Sequence, residues 1–374
     1  SFDASELSAV CALGPTVFRL GDGELGELAR VRRIWELSGS YEPIARDLLE
    51  YRAAVVDTVS RLIEHLAAPE RLRQLLRRAF DEVVSWAVMA PCVPAIDFPA
   101  AVAACAGEDM NAANPVSVAS LLYYLGISLI DDVIDDEVDR SWGARRTEEL
   151  ILAGMCSYAG LPMEALQSLY GHHGNDHDYR DDRIDACYSL FERARYYMAV
   201  GQYLDIGSEL TVHTTFDDCK SIIELKTGST GELAAVLMAT IMDLPGTRID
   251  HLARACKYLN MSMQLAGDIH DVYGRPVSAD LANGTVTLLT LYTFHAADEV
   301  MRRSFAAVLR SADWTESGQI AVRAHLDASG ALTFALLEAE AMRRRAMAAW
   351  TESACEPGGI LLFDYMFEAA RIIR

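Results

Sequence analysis

The chain has 374 residues, 51% of them hydrophobic, and a formal net charge of −21. So acidic a chain lacks the basic surface that displaces counterions from a phosphate backbone, which excludes nucleic acid as a partner. The length admits one large helical core or two to three smaller domains, and does not decide between them.

From the N-terminus, "SFDASELSAV" lacks the basic and apolar regions of a signal peptide. Apolar residues then recur at three- and four-residue spacing across Arg30–Leu66, and again across Gly330–Trp350, while sustained alternation is absent. This pattern predicts an all-α protein. Breaks are expected where Gly, Pro, Asn and Asp gather: "LGDGE", "MAPCVPAIDFP", "AGEDMNAANP", "GHHGNDHDYRDD", "LPGTR", "GRPVSADLANG" and "CEPGG". Residues 1–66 are expected to form an N-terminal helical annex and 67–374 the main bundle. The longest apolar run, Val116–Ile130, is shorter than the roughly 20 residues that span a bilayer. Eight cysteines, with no C-x-x-C pair, are expected to be reduced and mostly buried. Together these features predict a cytoplasmic protein without a transmembrane segment.

Chemistry gathers in "SLIDDVIDDEVDR", Ser128–Arg140, directly after that apolar run. On a helix Asp131, Asp135 and Asp139 stack at i, i+4 spacing with Asp132 and Asp136 beside them, so the like charges repel. No Lys or Arg occurs between Ala79 and Asp139 to offset them. Clustered carboxylates on one face suit Mg²⁺, which takes one or two of them together with water and substrate phosphate. The other reading is a solvated acidic helix end. The apolar, aromatic helix below, with Tyr123, Tyr124, Ile127 and Ser128, favours a site for an amphiphile with a polyphosphate head. Downstream, "NMSMQLAGDIHDVYG" places Asp268 and Asp271 three apart, with Gln264 one turn earlier. "DDRID", Asp181–Asp185, also fits D-D-x-x-D but follows a polar loop and reads as a helix start. His172, His173 and His177 in that loop read as solvated rather than metal-binding.

Five segments in order, "SLIDDVIDDEVDR", "VGQYLDI", "ELKTGSTGEL", "QLAGDIHDVYG" and "DLANGTVTLLTLY", resemble the motif series of trans-isoprenyl diphosphate synthases, over roughly Pro91 to the C-terminus. The resemblance implies a helical bundle of the isoprenoid synthase type in which two aspartate-rich helices hold up to three Mg²⁺, with Mn²⁺ as a substitute, around an allylic diphosphate. Carried over, Asp131, Asp132, Asp135, Asp268 and Asp271 are metal ligands and catalytic groups. Arg140, Lys226 and Gln264 contact diphosphate, and Tyr123, Tyr124, Ile127, Gln202 and Thr227 line the pocket. A homodimer is likewise implied.

The departures from the family pattern are concentrated on one substrate. Where chain-elongating members carry G-G-K-R-x-R-P to grip isopentenyl diphosphate, this chain has "VMAPCVP", Val88–Pro94. Ser141 follows Arg140 in place of a second arginine, Ile130 replaces a histidine, Gly267 an aspartate, Thr285 a lysine and Leu289 a proline. A pocket without point charges or bidentate donors holds a second diphosphate poorly. The expectation is therefore Mg²⁺-dependent ionisation of one prenyl diphosphate, C15–C20 or longer, by a terpene synthase or cyclase. The alternatives are prenyl transfer, either to a non-isopentenyl acceptor or as a chain-elongating geranyl, farnesyl or geranylgeranyl diphosphate synthase, and a non-catalytic subunit. Tyr123, Tyr124, Tyr196 and Tyr197 are candidates to face the cation, and Gly126 is expected to leave room for the chain. Arg145 and Arg146 are candidate replacements for the missing acceptor cations.

Overall fold

The computed structural model describes residues 23–87, 90, 92–135, 146–170, 177–274, 277–311 and 316–370. Among these every regular element is helical: α1 (Gly23–His65), α2 (Glu70–Ala87), α3 (Pro94–Cys105), α4 (Asn114–Ile134), α5 (Thr147–Met155), α6 (Leu161–Tyr170), α7 (His177–Ile206) and α8 (Phe216–Ile223). Then follow α9 (Ser229–Ile241), α10 (Gly246–Gly274), α11 (Ala279–Asn283), α12 (Leu288–Ala296), α13 (Glu299–Ser311), α14 (Glu316–Ser329), α15 (Ala331–Glu352) and α16 (Pro357–Ala369). Among the described residues, helix ends fall in "AGEDMNAANP", "LPGTR", "GRPVSADLANG" and "CEPGG". Residues 20–22 of "LGDGE" and 171–176 of "GHHGNDHDYRDD", with His172 and His173, lie outside the described residues, and His177 begins α7 instead of lying in a loop. The break expected over "MAPCVPAIDFP" ends at Val93, because Pro94 takes the first helical turn, where its missing N–H costs nothing, and Pro99 lies inside α3.

Helix α10 lies along α15 and α9, and α9 packs in turn on α3 and α7. The largest core cluster runs from α1 to the first half of α10 and includes α16. Helix α1 ends beside the expected boundary at Leu66, and its second half carries Leu48, Tyr51, Val55, Val59 and Ile63 into that same core. Two smaller clusters surround the C-terminal half of α10. The apolar α4 is by length and composition the described helix able to span a bilayer, yet 61% of that window is buried in the bundle.

Two long-range links hold α3. At its start, Arg52 donates through Nε to Asp97 Oδ1 (2.9 Å) and through Nη1 to Ala90 O (2.9 Å), while Val93 N donates to Asp97 Oδ2 (2.6 Å). Both side chains are almost fully buried, at 4% and 0% exposure. Truncating one member of such a pair leaves a charge stranded in the core. Arg52→Met is expected to cost about 3–5 kcal/mol in urea unfolding, and Arg52→Met/Asp97→Leu to recover most of it. A single variant as stable as the wild type would show that the pair does not hold this segment.

At the other end of α3, Cys105 is disulfide-bonded to Cys355, which corrects the expectation of uniformly reduced thiols. Glu356 N donates to Cys105 O (3.0 Å), and a Cβ on Gly359 would come within 2.4 Å of the Cys105 backbone. The two cysteines meet because α16 seats so closely on α3, a contact between positions 250 residues apart that no spacing rule signals. Cys92, Cys187, Cys219 and Cys256 are free and buried, and Cys156 is free and exposed.

Candidate active site

A cleft of about 410 Å³ opens between α4, the α8–α9 junction and α10. Along one wall α4 and its C-cap present Tyr123, Tyr124, Ile127, Asp131 and Asp135. The opposite wall comes from Lys226 and Thr227, which sit in a π-helical turn, Glu224–Gly228, between α8 and α9. Such a turn inserts a residue into the helical register and re-aims the side chains after it. Helix α7 crosses this turn at Gly201, where a Cβ would lie 2.9 Å from Lys226 N. That close approach brings Asp205 onto Lys226 (Nζ to Oδ2, 2.5 Å) and Gln202 against Asp131.

Helix α10 supplies Gln264 and Asp268. Thr227 Oγ1 donates to Gln264 Oε1 (3.0 Å), and Gln264 Nε2 donates to Asp268 Oδ1 (2.8 Å), so the Gln264 amide is oriented from both ends. Asp271, one turn further on, accepts from the Ser278 hydroxyl and from Asp280 N (3.3 Å), and thereby holds the start of α11. Asn283, at the end of α11, donates to Asp135 O (3.2 Å), tying α11 to the end of the first aspartate-rich helix.

The charge balance in the cleft is lopsided. Asp131, Asp135, Asp205, Asp268 and Asp280 all line it, and among the described lining residues Lys226 is the one cation. Burial raises the Asp131 carboxyl above its ordinary range; Lys226 opposes the rise, and Asp205 and Asp132 add to it. Burial also pushes Asp268 up to about 7, against its hydrogen bond from Gln264 and with Asp271 adding repulsion. Asp280 is pushed up to about 8 by burial and by Asp268 and Asp271. Burial pulls the Lys226 ammonium down, but Asp131 and Asp205 outweigh it and hold its pKa above the usual lysine value.

These shifts predict a stability effect with a definite sign. Because Asp268 titrates near 7 when folded against 3.8 ordinarily, the folded state holds a proton that the unfolded chain has lost. The carboxylate therefore destabilises the metal-free protein increasingly between those two pH values and fully above them. Asp268→Asn is expected to raise the melting temperature at pH 8, by up to about 4 kcal/mol of stability, with the gain vanishing toward pH 4. Thermal denaturation across that range in chelator checks it, and a pH-independent effect would contradict it.

The donor set fits a hard divalent cation. Asp131 Oδ1 is buried with no hydrogen-bond partner, an acceptor left for something cationic. Among the described residues no three His, Cys, Asp or Glu converge tightly enough to hold an ion alone.

Of the residues singled out in the sequence, Tyr123, Tyr124, Ile127, Asp131, Asp135, Lys226, Thr227, Gln264 and Asp268 share this cleft. Asp132, Gln202 and Asp271 stand just outside its lining, Gln202 buried beside Asp131. Arg140 and Arg145 lie outside the described residues, and Arg146 is exposed ahead of α5. Tyr196 and Tyr197 are 66% and 37% exposed, so they do not face the cleft, a correction to their candidacy. Gly126 is corrected as well. A Cβ there would lie 2.3 Å from Tyr158 N, so this glycine admits a neighbouring helix rather than a substrate chain. Asp205 and Asp280 were not selected from the sequence, although "GQYLD" and "DLANG" already marked both positions.

A family model described as polyprenyl synthetase matches residues 96–322. The chain belongs to the polyprenyl synthetase family. It is thus an enzyme acting on prenyl diphosphates. No curated protein matches the sequence. Among solved structures, geranylgeranyl pyrophosphate synthetase from Pyrococcus horikoshii Ot3 superposes with a TM-score of 0.70 at 20% identity, over 90% of this chain and 99% of that one. Decaprenyl diphosphate synthase from Rhodobacter capsulatus gives 0.70 at 17% identity, over 91% and 99%. Polyprenyl synthase from Caulobacter crescentus CB15, complexed with calcium and isoprenyl diphosphate, gives 0.69 at 18% identity, over 88% and 98%. At these identities the superpositions establish that this chain shares the all-α fold of those structures along nearly its whole length.

Proposed function

We propose that this enzyme, with Mg²⁺, ionises one allylic prenyl diphosphate of C15–C20 length or longer and transfers the prenyl group to an acceptor that carries no diphosphate. The observation that carries this reading is the acceptor side of the cleft. Cys92, Val93, Pro94 and Ala95 form an apolar wall there, and the one lining cation among the described residues, Lys226, is in this reading taken up by the prenyl diphosphate. The buried Arg52 behind that wall is committed to Asp97 and Ala90 O. Among the described residues no further cation lines this face to meet a second diphosphate.

In this reading Asp131 and Asp132 from α4 and Asp135 at its C-cap, with Asp268 and Asp280 across the cleft, hold the metal, and Lys226 meets the departing diphosphate. When bound, Mg²⁺ supplies Lewis-acid stabilisation of that leaving group. Lys226 adds a point charge where negative charge grows. Gln264, fixed between Thr227 and Asp268, orients the second acidic helix. Below the charged rim the apolar wall, including Tyr123 and Tyr124, keeps water from the allylic cation. Asp271 positions α11 and so acts through Asp280. The working form in this reading is a homodimer.

Family membership and the names of the matched structures support prenyl transfer more directly than the cyclisation favoured from sequence. Cyclisation of the chain on itself remains the second reading, because it too dispenses with an acceptor diphosphate. Incubation with Mg²⁺ and farnesyl or geranylgeranyl diphosphate, with and without isopentenyl diphosphate, is expected to give no longer prenyl diphosphate. Titration calorimetry with a non-hydrolysable prenyl diphosphate bound is expected to show no isopentenyl diphosphate binding tighter than millimolar, about −4 kcal/mol. Micromolar binding together with a product five carbons longer would establish chain elongation instead. Hydrocarbon from a single substrate would establish cyclisation.

A further inference from the structure

The α10 wall of the cleft presents fewer carboxylates than its sequence offers. Asp268 lines the cleft, Gly267 beside it carries no side chain, and Asp271 is turned to the Ser278 hydroxyl and to Asp280 N. The second carboxylate beside Asp268 is Asp280, which comes from α11, a helix of five residues. So short a helix has little stability of its own. Asp268, Asp271, Asp135 and Asp205 all repel the Asp280 carboxylate, which favours moving α11 away from the cleft. Contacts outside the cleft must hold it in place.

Gln319 on α14 supplies one. It is fully buried, at 0% exposure, and lies outside the cleft lining. Its Nε2 donates to Val272 O (3.0 Å) in the last turn of α10, and its Oε1 accepts from the N–H of Ser278 (2.5 Å), the N-cap of α11. One amide thus joins a carbonyl where the partners within α10 run out to an N–H ahead of the next helix. Ser278 gives its hydroxyl to Asp271 and accepts from Leu281 N (3.1 Å). Leu281, 1% exposed, packs in the same core cluster as Val322 and Leu326 of α14. Thr285 N returns to Asp280 O (2.9 Å), and Asn283 reaches Asp135 O (3.2 Å), so α11 is fastened at both ends.

We infer that Gln319 is a positioning residue for the metal site: by fastening Ser278 to the end of α10 it keeps α11 seated and Asp280 in the cleft, so that Mg²⁺ affinity depends on a side chain outside the cleft. This rests on the reading above that Asp280 belongs to the metal set, and it holds for transfer and cyclisation alike. Gln319 meets neither substrate nor metal. Groups that hold metal ligands in place typically carry about ten- to a hundredfold in metal affinity. Gln319 acts through Ser278 and α11, one step further out, which puts its effect at the lower end of that range.

The test is Mg²⁺ binding, measured by titration calorimetry on the full chain with farnesyl S-thiolodiphosphate bound. Gln319→Met keeps the length of the side chain and removes both hydrogen bonds, and is expected to weaken Mg²⁺ binding about tenfold. Asp280→Asn is expected to weaken it as well, and the double variant to bind no more weakly than Asp280→Asn alone, because Gln319 acts only through Asp280. Should Gln319→Met not fold, Ser278→Ala breaks the same bracket from its other side and is expected to show the same coupling to Asp280→Asn. Unchanged Mg²⁺ affinity in Gln319→Met, or an equal loss with and without the Asp280 carboxylate, would overturn the positioning role while leaving Asp280 in the metal set. Unchanged affinity in Asp280→Asn would remove Asp280 from that set, and the positioning role with it.

Discussion

Asp131→Asn is expected to lower turnover about a thousandfold at saturating Mg²⁺ while the helical circular dichroism signal is unchanged. The size follows from losing one carboxylate contact to a Lewis-acid centre worth roughly 4 kcal/mol in the transition state. The fold is expected to survive because the carboxylate opposes it when no metal is bound: burial raises the pKa of Asp131, and its Oδ1 has no partner. Activity and structure should therefore move independently. Retained turnover at high Mg²⁺ would remove Asp131 from the metal set. Asp181→Asn in the other D-D-x-x-D is the control, expected to leave turnover nearly unchanged. Asp181 sits on the first turns of α7, 24 residues before Asp205, which places it about 36 Å from the cleft along that helix.

Lys226→Met is expected to reduce kcat/KM for the prenyl diphosphate by about 10²–10³, the usual loss when one donor to a developing charge is removed. Here stability moves too. Lys226 and Asp205 are only 20% and 16% exposed, so removing the ammonium strands Asp205 and deepens the repulsion around Asp131. A loss on the order of 1–3 kcal/mol is expected in denaturant unfolding. Lys226→Met/Asp205→Asn is expected to restore most of that stability and none of the activity, which separates the charge-balancing role from the diphosphate contact. Wild-type kinetics in the single variant would mean that Lys226 does not meet substrate.

Much of this site was legible in the chain. Asp131 and Asp135 lie four residues apart at the end of one apolar helix, and Tyr124 and Ile127 follow from the same period, so one wall could be drawn without coordinates. The order of the five motifs then pointed to the facing wall. Less legible was which motif residues touch. Gln202 serves Asp131, Asp205 serves Lys226 and Asp271 serves the turn before α11, and each of these pairings joins different elements. Tyr196 and Tyr197 illustrate the limit. Their aromatic chemistry suited a cation, but helix α7 turns them to the surface.

The sequence by itself determined the all-α class, the acidic end of α4 and the loss of cations in the segment before α3. All three are local properties, set by residue type and by spacing within a turn or two of helix. Only the tertiary structure decided that Cys105 meets Cys355, that Gly126 seats a helix, that Asp205 and Asp280 join the cleft, and that Gln319 joins the end of α10 to the start of α11. Those outcomes depend on which distant helices pack together and how much water they exclude. Helical periodicity specifies the face a residue occupies but carries no information about the neighbour that covers it.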